Sequence, residues 1–171
     1  MRQVIVTPYQ EVWAEMFETE AAQLRAIFGQ RLRGIHHIGS TSVAGLSAKP
    51  IIDILPVVDT LGEIESFDTA MEALGYEVMG EFGMPGRRYY RKGGDARTHH
   101  IHLYADGSPE IRRHVVFRDY LRQHPQEATA YSDIKEQLAK QHPVDISAYI
   151  AGKDAFVKEM EHRALTWWSR G

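Results

Sequence analysis

Residues 37–54 read HIGSTSVAGLSAKPIIDI. An apolar run ends at a glycine and three hydroxyls, a lysine follows, and one carboxylate, Asp53, stands inside a second apolar run. Residues 51–58 are nearly all apolar and rich in β-branched side chains, which predicts a strand covered on both faces. The two-residue period puts Ile51, Asp53 and Leu55 on one face and Ile52 and Ile54 on the other. An ionised carboxylate in such a run costs on the order of several kcal/mol to desolvate unless it is paired, hydrogen-bonded or metal-bound. Two readings of Asp53 follow: a structural pair with Lys49 or an arginine, or an acid at a strand end beneath an anion-holding loop.

The loop carries Gly39, Ser40, Thr41, Ser42 and Gly45. Glycines let backbone amides approach a phosphate, the hydroxyls add donors, and Lys49 adds a point charge. Charge-assisted hydrogen bonds are worth about 1.5–3 kcal/mol each, so a few would hold a phosphate. The competing reading is a turn whose hydroxyls bond its own backbone. The loop is not a Walker A motif, because Gly45 is followed by leucine rather than Lys-Ser/Thr.

Outward from this stretch, residues 10–28 place apolar side chains three and four apart and predict an amphipathic helix ended by Gly29. Residues 32–38 read as a strand. Residues 64–74 read as a helix capped by Gly75. Residues 88–92 and 98–104 read as an antiparallel hairpin across GGDAR, after a short extended piece at 76–79. From Ser108 the pattern turns helical. SPE starts one helix with serine as cap and proline in its first turn, HPQE restarts a second, and 153–168 makes a third with Trp167 and Trp168 on its buried side.

The 171 residues fit a single domain, with a mixed sheet unit over 1–106 and a helical segment packed on it over 107–171. No cysteine is present, so disulfides and thiolate metal sites are excluded. No apolar run approaches membrane-spanning length and no signal-peptide pattern opens the chain, so the expected location is the cytoplasm. A net charge of -3 and the lack of aromatic–basic alternation disfavour nucleic acid. A nucleotide or other phosphorylated small molecule is the better-matched partner. The oligomeric state is open.

On residues 98–104, His100 and His102 share a face with Tyr104, opposite His99, Ile101 and Leu103. If this strand runs beside Asp53, the set Asp53, His100 and His102 offers one oxygen and two nitrogens to a divalent ion such as manganese or zinc. The alternative is that both histidines are neutral hydrogen-bonding groups or phosphate contacts. His37 is placed to bond the loop, and His36 alternates outward. Arg87, Arg88, Arg91, Lys92 and Arg97 crowd the hairpin and read as a solvated face. Arg118 recurs with His114 and Arg122 every four residues on the next helix. Tyr131 and Tyr149 read as packing residues.

HIGSTSVAGLSAKPIIDI closely resembles the signature of the GrpB family, UPF0157. RTHHIHLY, FRDYLRQHP, Tyr131 with Lys135, and Tyr149 with Lys153 also resemble that family, over about residues 9–168. Ala44 departs from the family's usual proline. The resemblance implies an α+β fold similar to the nucleotidyltransferase superfamily of DNA polymerase beta: a small mixed sheet packed by helices, then a C-terminal helical segment. Gly39, Ser40 and Asp53 match that superfamily's Gly-Ser and first acid. The partner acid is missing, because Ile51 and Leu55 occupy its candidate positions. One carboxylate suffices for one magnesium when a triphosphate supplies further oxygens. Two-metal transfer is disfavoured. The expected activity is nucleotidyl or phosphoryl transfer, with Asp53, Lys49 and His102 as catalytic residues. Gly39, Ser40, Thr41, Ser42, Arg118, Lys135 and Lys153 are the expected substrate-binding residues. A divalent ion, magnesium or manganese or else zinc, is expected at Asp53 with His100 and His102. The alternative is a non-catalytic protein that binds or senses nucleotides on a degenerate transferase scaffold.

Overall fold

A computed structural model describes residues 3–171. Five strands form one sheet: β1 (Leu32–Ile38), β2 (Ile52–Val58), β3 (Glu77–Val78), β4 (Arg88–Lys92) and β5 (His99–Ala105), in the spatial order β1-β2-β5-β4-β3. β1 pairs with β2 antiparallel, β2 with β5 parallel, and β4 with β5 as the antiparallel hairpin. A parallel neighbour needs a long crossover. The chain provides it through a 3-10 turn (Ile64–Phe67), helix α2 (Asp68–Ala73) and the β3 edge before returning along β5.

The expected alternation holds on both central strands. Ile52, Ile54, Val58, Ile101 and Leu103 point to one face. There helix α1 (Val12–Phe28) lays Trp13, Phe17, Leu24 and Phe28, and α2 adds Met71. Burying each of these side chains contributes about 1.5–3 kcal/mol. Leu55, Val57 and Tyr104 pack with Ile38 on the other face, with Ile111 against them.

Three helices follow: α3 (Pro109–Gln123), α4 (Pro125–Gln141) and α5 (Ile146–Arg170). Ser108 caps α3, accepting from the Glu110 amide, and Asp145 caps α5, accepting from the Ala148 amide at 2.9 Å. The helices bury Val116, Leu121, Tyr131, Met160 and Ala164 around Val43 and Leu46 of the 39–50 loop. The loop is thus nailed into the helical layer by its own apolar residues.

Two expectations need correction. The last helix begins at Ile146, seven residues before the expected 153. Gly152 lies inside it, where a Cβ would come within 2.6 Å of Leu138 Cδ2 of α4. The missing Cβ suits the close approach of α5 to Leu138 of α4. Trp168 is not core: it is 46% exposed, with the Arg112 guanidinium 4.4 Å over its ring. Trp167 does pack against the helical cluster. No described helix is long and apolar enough to cross a membrane.

Candidate functional site

Asp53 lies opposite Ile38 of β1 and opposite His100 of β5 in the sheet register. Its Oδ1 is 3.1 Å from His102 Nε2 and 3.4 Å from His100 Nδ1. Burial by itself would raise the Asp53 pKa. The two imidazole contacts overcome it and hold the carboxyl well below the usual range. Its side chain keeps 27% exposure, so it is a fixed anion that solvent or a ligand can reach.

Gly39 makes this placement feasible. Its φ is +71°, and a Cβ on it would come within 2.6 Å of Asp53 Oδ2. Any other residue would collide with the carboxylate as well as strain the backbone.

A cavity of about 300 Å³ opens beside Asp53. Ser40 and Thr41 come to it from the loop, Asp53 and His100 from the sheet, and Lys49 from the approach to β2. Lys135 of α4 and Tyr149 and Lys153 of α5 close the other side. Three lysines therefore meet one carboxylate. Lys135 is 1% exposed, and its Nζ has no hydrogen-bond partner among the described residues. Its ammonium lies 4.2 Å over the Tyr131 ring. Lys49 and Lys153 lie 5.1 and 5.2 Å over the Tyr149 ring. Desolvation, and then the charges of Lys153 and Lys49, push the Lys135 pKa well below its ordinary value. An anion in this cavity would give the Lys135 Nζ the acceptor it lacks among the described residues.

The loop hydroxyls divide. Thr41 Oγ1 is bonded to His37 Nε2 at 2.9 Å, and Ser42 Oγ donates to the Gly39 carbonyl. Both hold the turn Ser40–Ser42 in shape. The Ser40 hydroxyl makes no side-chain hydrogen bond among the described residues, and Ser40 lines the cavity. Arg118 is placed elsewhere. It pairs with Asp119 at 2.9 Å, donates to the His37 carbonyl at 3.2 Å, and does not line the cavity. Arg122 donates twice to the Ser42 carbonyl, at 3.0 and 2.7 Å, and clamps the loop from α3.

The hairpin cations also divide. Arg88, Arg91 and Lys92 pair with Glu65, Glu77 and Glu20. Arg87 and Arg97 instead turn inward, with Nη1 atoms 3.5 Å from His102 Nδ1 and 3.2 Å from His100 Nε2. Sequence reading missed these two contacts. Alternation along β5 fixes the histidines' face, but arginines in flanking turns carry no periodic signal.

One oxygen of Asp53 and one nitrogen each of His100 and His102 lie within 4.8 Å of one another, close enough for a shared ion. A family model described as GrpB protein matches residues 3–163. The chain belongs to the GrpB family. UPF0157 protein YqkA of Bacillus subtilis is 49% identical over 97% of this chain, which spans about half (48%) of the YqkA length. Glutamate-rich protein GrpB of Alkalihalophilus pseudofirmus is 32% identical, covering 92% of this chain and 94% of that protein. Among solved structures, the conserved protein GrpB from Enterococcus faecalis superposes with a TM-score of 0.93 at 49% identity. That match covers 96% of this chain and 99% of the other. The Cid1 poly(U) polymerase aligns with a TM-score of 0.54 at 12% identity, over 78% of this GrpB-family chain and 44% of that one. This last likeness concerns the fold alone. It gives the chain an α+β fold like that of the Cid1 polymerase, as the family resemblance implies.

Proposed function

We propose that the chain binds the phosphates of a nucleotide, or of a similar phosphorylated small molecule, in the lysine-lined cavity, and transfers a nucleotidyl or phosphoryl group from it. The observation that carries this reading is the buried, unpartnered Lys135 ammonium beside Asp53. A buried cation without an acceptor is costly, and a phosphate oxygen would offset that cost. Lys49, Lys153 and the Ser40 hydroxyl hold further phosphate oxygens. His100 and His102 keep Asp53 oriented and ionised. When bound, a divalent ion at Asp53 would neutralise polyphosphate charge.

Calorimetry with nucleoside triphosphates and magnesium or manganese tests the binding step. The expected result is micromolar affinity that falls at least ten-fold in Lys49→Ala. Release of pyrophosphate or phosphate with a panel of acceptors tests transfer, and Asp53→Ala should abolish it while the fold survives. The absence of an acid at Ile51 and Leu55 favours a second reading, a protein that binds nucleotides without turning them over. Tight binding with the nucleotide recovered intact across the panel would establish that reading. No affinity for any phosphorylated ligand would sink both.

A further inference from the structure

The contacts of Arg87 and Arg97 bear on what the two histidines do. A guanidinium has five N–H donors and no acceptor, and it stays protonated in proteins. A ring nitrogen 3.2 or 3.5 Å from it, as His100 Nε2 and His102 Nδ1 are, makes a hydrogen bond only by offering a lone pair. Each imidazole is then neutral and carries its single proton on the other nitrogen. Those other nitrogens, His100 Nδ1 and His102 Nε2, are the ones that face Asp53 Oδ1. Both rings therefore donate to the carboxylate.

Metal ligation demands the reverse. A ligating nitrogen must present its lone pair inward, and its ring then carries the proton outward, normally toward a carboxylate, a carbonyl or water. Here the outward neighbours are donors with positive charge. We infer that His100 and His102 are positioning residues whose tautomers are fixed by Arg97 and Arg87, and that any ion at this site is held through Asp53 oxygen and ligand oxygens, which selects a hard cation of the magnesium class over a nitrogen-preferring zinc or iron. The inference deepens the proposed function and rests on that reading for the ion's role. The tautomers themselves do not depend on it.

The surroundings agree with this assignment. Tyr89 stands 5.7 and 5.5 Å from the His100 and His102 rings, and the Arg87 guanidinium lies 4.7 Å over Tyr89. Arg87 is further tied to the carbonyls of Glu81, at 3.3 Å, and Phe82, at 2.9 Å. Arg97 is tied to the Gly94 carbonyl at 3.1 Å. Both arginines are thus anchored by the turns that carry them.

Nitrogen-15 NMR of the metal-free 171-residue chain at neutral pH distinguishes protonated from unprotonated ring nitrogens. The expected spectrum shows His102 Nδ1 and His100 Nε2 unprotonated, unchanged on adding magnesium. Cobalt(II) absorption then reads nitrogen coordination directly, with no nucleotide needed. The wild-type chain should give no nitrogen-ligand spectrum at micromolar cobalt. The Arg87→Met/Arg97→Met chain should gain one, with affinity raised about 10–100-fold, the range in which partners beyond the ligands tune metal affinity. The opposite tautomers in the wild type, or micromolar cobalt binding lost in His100→Asn, would overturn the inference. A failed nucleotide titration with the expected tautomers would count only against the proposed function.

Discussion

Replacing Lys135 by methionine should make the protein more stable and less able to hold an anion. The lysine is 1% exposed and its ammonium has no hydrogen-bond acceptor among the described residues. Exchanging buried charge for an apolar side chain of similar volume is commonly neutral or stabilising by about 1–4 kcal/mol. Lys135→Met also forfeits the Tyr131 ring contact, worth about 0.5–2 kcal/mol. The difference centres on a net gain of about 1 kcal/mol, or roughly 2–4 °C in Tm for a chain of this length. The pH dependence has a definite sign. The folded pKa lies below the unfolded 10.5, so the unfolded chain binds more protons in that interval and wild-type stability rises with pH there. The advantage of the variant should therefore be larger at pH 7 than at pH 10. Urea unfolding at both pH values measures this. Tripolyphosphate at a hundred times its Kd should stabilise the wild type by about 2.7 kcal/mol. Losing one charge-assisted contact, about 1.5–3 kcal/mol, should weaken its affinity in Lys135→Met about 10–150-fold. A variant destabilised by more than about 1 kcal/mol, with unchanged tripolyphosphate affinity, would refute the reasoning.

Two further outcomes follow from the loop. Gly39→Ala should cost at least about 2 kcal/mol, from the +71° φ and the clash with Asp53 Oδ2. It should also shift the His102 ring resonances, and an unfolding curve within about 0.5 kcal/mol of wild type would contradict the packing. His37 is buried against Phe17, and burial lowers its pKa from 6.5 to about 4. Its contribution is complete above pH 6.5 and is lost as the pH falls toward 4, on the order of 3 kcal/mol in all. Urea titrations from pH 7.5 to 4 should show this fall, and His37→Gln should flatten it. An equal slope in the variant would assign the acid sensitivity to other groups.

Much of the architecture was legible because it follows from local periodicity. The two-residue period of β2 and β5 placed Asp53, His100 and His102 on matching faces, and the parallel register then set Asp53 opposite His100. The Ser108 cap with Pro109 marked the change to helix. Legibility failed where a tertiary contact overrode a local signal. Gly152 disfavours a helix by propensity, yet it sits inside α5, packed against Leu138 of α4. Trp168 has the composition of core, but it stays half-exposed against the Arg112 guanidinium while its neighbour Trp167 packs inward.

The sequence by itself determined the strands, the helical third, the family and the solitary acid, since these depend on residue order and spacing over a few positions. Only the tertiary structure decided that Lys49, Lys135 and Lys153 meet Asp53 at one cavity, that Arg118 stays outside it, and that Arg87 and Arg97 reach the imidazoles. Long cationic side chains have many rotamers and no periodic address. Where they end is fixed by which carboxylate, carbonyl or ring the packed elements leave within reach.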